Sequence, residues 1–241
     1  MKHSILFLAN LFFLIIFSDA VFAGDIYAEY KMTGMTNKPV ISKMYSKNGD
    51  LRTDVTMDIG GSLMQTTTLM LKNKPNVTLV FNSMNKTYTE TKSSANAIIK
   101  NFEIKILGNE KVGNYNCTHV RMSADEKSWD MWYSKDLPVV NFPLTGNDAA
   151  SSQKMLAQLK SKGITGMPVK VAFLKPNSTT AAVTMLLTKF EQKTLNAALF
   201  TIPAGYTKNS VSFDAEKMKS MTPQQKKEMI MKMMKEQQLK Q

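Results

Sequence analysis

Cysteine is almost missing from this chain, with Cys117 the only one. It has no partner within the chain, so no disulfide framework staples the fold and stability must come from apolar burial. Histidine is nearly as scarce, present only at His3 and His119. A zinc site would have to be assembled from His119, Cys117 and scattered carboxylates, and no pair of these has the usual ligand spacing. Arginine occurs only at Arg52 and Arg121, so lysine carries a balance of 31 Lys plus Arg against 19 Asp plus Glu. Lysine is a hydrated point charge and not a bidentate fork, so this excess reads as a general attraction to acidic surfaces. No basic run is interleaved with stacking aromatics, which argues against nucleic acid as a partner. G-x-S-x-G, H-E-x-x-H, P-loop and dinucleotide fingerprints are all lacking. These absences point to a protein that is not an enzyme and needs no cofactor or metal.

Long apolar runs are absent too, apart from one at the start. Lys2 and His3 precede Ile5 to Phe17, and Val21-Phe22-Ala23 leads to Gly24. A short positive segment, an apolar core and small side chains three and one residues before a cut make a signal peptide over residues 1–23, cleaved after Ala23. An uncleaved anchor is the alternative. No cysteine follows the apolar core to carry a lipid, and no later run approaches the roughly 20 residues of a membrane helix. The expectation is a periplasmic or secreted protein. Asn-x-Ser/Thr triplets at Asn76, Asn85, Asn116 and Asn177 would matter only in a eukaryotic secretory pathway.

What the sequence does have is period-two alternation. Ile26, Ala28, Tyr30 and Met32 alternate with polar or tyrosine positions, as a strand with one buried face does. Further strands are predicted at Val40–Lys47, Leu51–Met57, Ser62–Leu71, Val77–Asn82 and Lys86–Glu90, separated by turn residues such as Asn48-Gly49-Asp50. A short helix is predicted at Ser93–Lys100, then strands around Phe102–Ile106, at Tyr115–Ser123 and at Lys127–Ser134. A second helix is predicted over Ala149–Lys162, started by Asn147 or Asp148 and stopped by Gly163, followed by strands at Val169–Lys175 and Ala181–Gln192. Near the end, Thr222-Pro223-Gln224-Gln225 is a capping box with proline at the first helical position. A helix should run from it toward Lys240, with Met229, Ile230, Met233 and Met234 within an arc of about 140 degrees. That basic segment could dock on the body, bind a partner or lie on an acidic membrane surface.

Two features invite a chemical reading. The stretch GNYNCTHV places Cys117 and His119 on one strand face, the spacing of a Cys-His pair. No glycine-rich turn or helix N-terminus follows to lower the thiol pKa or build an oxyanion hole, so a structural thiol is the better reading. Methionine is the second, at 19 residues. Thioethers are soft ligands for Cu(I), yet these are spread about one per strand, which suits a core or an adaptable apolar groove.

Four stretches in order, GNYNCTHV, WDMWYSKDLP (129–138), GITGMPVKV (163–171) and LFTIPAGY (199–206), resemble exported bacterial proteins of domain-of-unknown-function family 4412. The resemblance covers Asp25 to Tyr206 and implies no biochemical activity. The element order is also similar to the periplasmic lipoprotein carriers of the LolA and LolB type, which implies a curved antiparallel sheet wrapped around helices over an apolar cavity. The expected architecture is α+β: a curved antiparallel sheet forming an incomplete barrel with a few helices, over residues 24–213, plus a basic methionine-rich C-terminal helix at 214–241. The expected function is that of a non-enzymatic carrier for an apolar small molecule, lipid or lipoprotein, its groove lined by Met32, Met44, Met64 and Met70. The alternatives are a cell-envelope interaction protein acting through the C-terminal helix, or copper binding.

Overall fold

A computed structural model describes residues 24–59, 62–75, 77–83, 85–92, 102–124, 127–140 and 149–209, with Thr222 and Gln225. The described residues form one 12-stranded sheet. Six strands run as a meander: β1 (Ile26–Thr33), β2 (Val40–Lys47), β3 (Asp50–Ile59), β4 (Ser62–Met70), β5 (Val77–Asn82) and β6 (Thr87–Lys92). The chain then starts again at the opposite edge with β7 (Phe102–Val112) and returns inward through β8 (Tyr115–Ala124), β9 (Lys127–Ser134), β10 (Met167–Leu174) and β11 (Ala181–Gln192). Antiparallel pairing of β11 with β1 joins the two meanders. A two-residue strand β12 (Thr207–Lys208) adds in parallel to β6, so β7 and β12 are the edges and the sheet stays open.

The sequence reading gives the bounds of β2, β5, β9 and β11 as they stand. The α+β expectation holds only coarsely, since the described residues are mostly strand. They contain one α-helix, α1 (Ala149–Ser161). The helix predicted at Ser93–Lys100 and the body of the C-terminal helix lie outside the described residues, as does the capping pair Asn147 and Asp148. The capping box itself does form: the Thr222 amide donates to Gln225 Oε1 at 2.9 Å, and the Gln225 amide donates to Thr222 Oγ1 at 3.3 Å.

Helix α1 ends as its glycine requires. Gly163 has φ +71°; its amide donates to Lys160 O, and the Ile164 amide donates back to Leu159 O at 2.9 Å. These two bonds make a Schellman motif, and Ile164 and Leu159, both buried, supply its apolar contact. Gly166 is under a harder constraint. At φ +90° a Cβ there would sit 1.8 Å from the Ser134 carbonyl oxygen, so only glycine lets the return from α1 pass so close to the end of β9.

Cross-strand register sorts every strand residue onto one of two faces, since side chains alternate. The inner face is the one that α1 covers. Across β1 and β7–β11 it carries Ala28, Tyr30, Val120, Met122, Met131 and Val171, packed with Met155 and Leu159 of α1 into the main core. A second core lies on the opposite, outer face. There Leu69, Leu79 and Phe81 pack under Leu195 and Phe200 of the segment that follows β11, which includes a 3-10 turn at Ala197–Phe200. Arg52 ties that cover down, donating from Nη1 to Leu199 O at 3.0 Å and from Nε to Asp54 at 2.9 Å. The two apolar cores thus centre on different sides of the sheet, the main one inside over β1, β2 and β7–β11 and the second outside over β4 and β5.

Candidate binding face

Because the second core is on the outer side, the inner face of β3–β6 is left with a different job. Register places Val55 and Met57 of β3, Met64, Thr66, Thr68 and Met70 of β4, and Thr78 and Val80 of β5 on it, followed by Thr87, Thr89 and Thr91 of β6. Met57 and Met64 are direct cross-strand partners. Val55, Met57, Met64 and Val80 are half-buried and belong to neither core. No Asp, Glu, Lys, Arg, His or Cys occupies an inner position on β1–β6; the charged residues of these strands, Arg52, Asp54 and Glu90 among them, all fall on the outer face. Such a wall offers methyl, thioether and hydroxyl groups, and it has no carboxylate, imidazole or amine to activate a hydroxyl as a nucleophile.

All four methionines expected to line a groove fall on this inner face, but at different depths. Met44 is 2% exposed and locked in the main core. Met32 and Met70 are half-buried and pack against that core, whereas Met64 lies beyond it. Met57, opposite Met64, escaped the sequence reading as a groove residue; its signal was alternation with Asp54 and Asp58 along β3.

Cys117 behaves as a structural thiol. It is 3% exposed, its Sγ donates to Tyr115 O at 3.6 Å, and burial pushes its pKa up. Among the described residues no hydrogen bond joins it to His119. A cleft of about 530 Å³ lies beside Cys117 and Tyr133, rimmed by Asn116, Lys111, Lys135 and Thr165. Tyr133 spends its hydroxyl proton on Met131 Sδ at 3.3 Å. Among the described residues no group of three or more His, Cys, Asp or Glu could hold a metal ion.

His119 belongs instead to a cluster on the outer face of β7–β10. Its ring stacks on Trp132 with centroids 4.1 Å apart, and Lys170 Nζ sits 4.0 Å from the Trp132 ring centre. Trp132 Nε1–H donates to Glu110. His119 Nδ1 is 3.1 Å from Glu110 Oε1, and Nε2 is 3.4 Å from Asp130 Oδ2. Arg121 grips Asp130 through two hydrogen bonds of 2.7 and 2.8 Å. Burial alone would raise the Asp130 pKa; the bonds and charge of Arg121, with His119, outweigh it and hold the carboxyl below its ordinary value. Side-chain contacts of this cluster thus tie β7, β8, β9 and β10 together on the outer face.

Fold and face together define an open, mostly antiparallel sheet whose inner wall over β1–β6 carries no charged side chain. The chain belongs to the family described as Domain of unknown function (DUF4412), whose model matches residues 22–206. No curated protein matches the sequence significantly. An uncharacterized conserved protein from Thermus thermophilus shares the fold, with a TM-score of 0.52 at 9% identity over 78% of this chain and 91% of that one. A chain of the MucA/MucB complex of Pseudomonas aeruginosa aligns at 0.42 and 9% identity, over 76% of this chain and 56% of that one. The LolA superfamily protein NE2245 from Nitrosomonas europaea aligns at 0.31 and 11% identity, over 74% and 89%.

Proposed function

We propose that this protein is a non-enzymatic binding or carrier protein that holds an apolar ligand, a lipid or the acyl part of a lipoprotein, on the inner face of β3–β6. In this reading the chain is exported, cut after Ala23, and works in the periplasm. The observation that carries it is the inner face of β1–β6: free of charge throughout, closed over β1 and β2, and half-open where Val55, Met57, Met64 and Val80 stand outside both cores. Thioethers adapt to irregular apolar surfaces, and threonine hydroxyls can meet a polar head without fixing one geometry.

Fluorescence titration of the chain from Gly24 onward with cis-parinaric acid, an apolar probe with a long acyl chain, tests it. The double variant Met57→Asp/Met64→Asp places two carboxylates where the acyl chain would lie, and should bind at least about tenfold more weakly, since an unpaired charge in an apolar site costs more than about 1.4 kcal/mol. Equal affinity in a variant whose far-ultraviolet circular dichroism is unchanged would remove the inner face from consideration. A second reading, in which the basic segment 214–241 does the binding, is favoured by the closed capping box at Thr222 and Gln225. It predicts that removing 214–241 abolishes binding, whereas the carrier reading predicts that binding survives.

A further inference from the structure

Away from the second core, exposed aliphatic residues interrupt polar-out alternation on the outer face of β11 and β2, the two strands that flank β1. Across β9, β10, β11, β1 and β2 the register sets five residues side by side: Trp132, Lys170, Leu186, Lys31 and Ile41. Adjacent strands lie about 4.8 Å apart, so the row is roughly 19 Å long. Ile41 is 37% and Leu186 39% exposed, on strands whose inner positions already bury Val40, Ser42, Met44, Met185 and Leu187. Neither residue is needed for a core. Single exposed aliphatics are ordinary, but these two flank the same lysine, and Lys31 is itself exposed.

Charge around the row is one-sided. The acidic groups of the outer face are mostly engaged: Asp54 by Arg52, Asp58 by Lys38, Asp130 by Arg121, and Glu191 by Lys189 and Lys193. Glu29 accepts from the Tyr27 hydroxyl and lies across from Lys43 in the register. Among the described residues Lys31, Lys43 and Lys170 enter no ion pair; Lys170 rests over the Trp132 ring, and Lys43 lies between Glu29 and Asp54 in the register, Asp54 being taken by Arg52. What remains is a stripe of cations alternating with aliphatic side chains on a chain of net charge +12.

From this juxtaposition we propose that the outer face of β1, β2, β10 and β11 docks on an anionic lipid surface, with Lys31, Lys43 and Lys170 against headgroup phosphates and Ile41 and Leu186 pressed into the interface. Lysine suits this role, because a fluid headgroup layer supplies charge without the fixed geometry that an arginine fork would match. The docking face is opposite the inner wall, so the proposal stands whether or not that wall holds a ligand.

Co-sedimentation of the chain from Gly24 to Gln241 with vesicles tests it, using roughly equal parts phosphatidylglycerol and phosphatidylethanolamine against vesicles of phosphatidylcholine alone. Binding should be confined to the anionic vesicles and weaken as salt is raised. Lys31→Gln/Lys43→Gln should bind about 30-fold more weakly, at about fivefold per lysine near an anionic surface. A separate pair, Ile41→Ser/Leu186→Ser, keeps every charge and should also lose affinity, which a purely electrostatic attraction through segment 214–241 would not produce. Failure of the unaltered chain to bind anionic vesicles overturns the proposal. So does full binding by both variants, which would assign the attraction to the C-terminal segment.

Discussion

Cys117, the one residue that invites a catalytic reading, is settled by its surroundings. It is buried at the edge of the main core, beside the buried Tyr133, and desolvation disfavours the thiolate that any nucleophilic role needs. The unfolded protein should react with iodoacetamide at once near pH 7.5, while the native protein stays unmodified over hours; labelling of native Cys117 at the rate of a free thiol would contradict this environment. The scarcity of cysteine made a structural role legible in advance. The partners of His119 were not, because Glu110, Asp130 and Trp132 come from β7 and β9 and meet only through the register. The available signal was Asp130 itself, a carboxylate inside the apolar stretch WDMWY, which calls for a cation, and Arg121 is one of only two arginines.

At the scale of elements, alternation located the strands well because each has one consistently apolar face. It did not say which cover each strand would meet. Leu69 and Met70 are adjacent on β4, and both alternating sets look fit for burial; Leu69 is enclosed by the segment 195–206 and Met70 faces the inner side. That choice depends on α1 and on a 3-10 turn more than a hundred residues away. Strand β12 escaped notice because two residues carry no period. The cover segment is fastened at its root by Asp25, whose Oδ2 accepts from Lys47 Nζ at 2.5 Å and from the Leu195 amide at 2.8 Å. Those two bonds hold the Asp25 pKa below its ordinary value. In the unfolded chain the carboxyl returns to about 3.9, so between the two values the unfolded state takes up the proton more readily. The stabilisation is therefore complete above about pH 4 and is lost as pH falls through the lowered native value. Urea unfolding of Asp25→Asn beside the unaltered chain should show a gap at pH 6 that closes toward pH 2.5. A gap constant across that range would mean that the carboxylate charge contributes nothing.

For the molecule as a whole, the arrangement follows from where the chain crosses. After six strands it leaves one edge of the sheet and begins again at the other, so β1, first in sequence, ends in the interior between β2 and β11. The connection between β9 and β10 carries α1, whose Met155 and Leu159 pack into the main core. Among the described residues no helix covers the inner face of β3–β6, and its lack of charge distinguishes it from an ordinary solvent-facing sheet, where lysine and glutamate would take alternate positions. Motif order pointed to the family; the half-open wall could be seen only once the register was known. The most direct test of a carrier function is native mass spectrometry of the exported protein, purified under mild conditions and compared with its denatured mass. A carrier cut after Ala23 should show a denatured mass beginning at Gly24 and a labile native increment that extracts as lipid and is missing from the Met57→Asp/Met64→Asp variant. A native mass equal to the bare chain, or an increment kept by that variant, would contradict it.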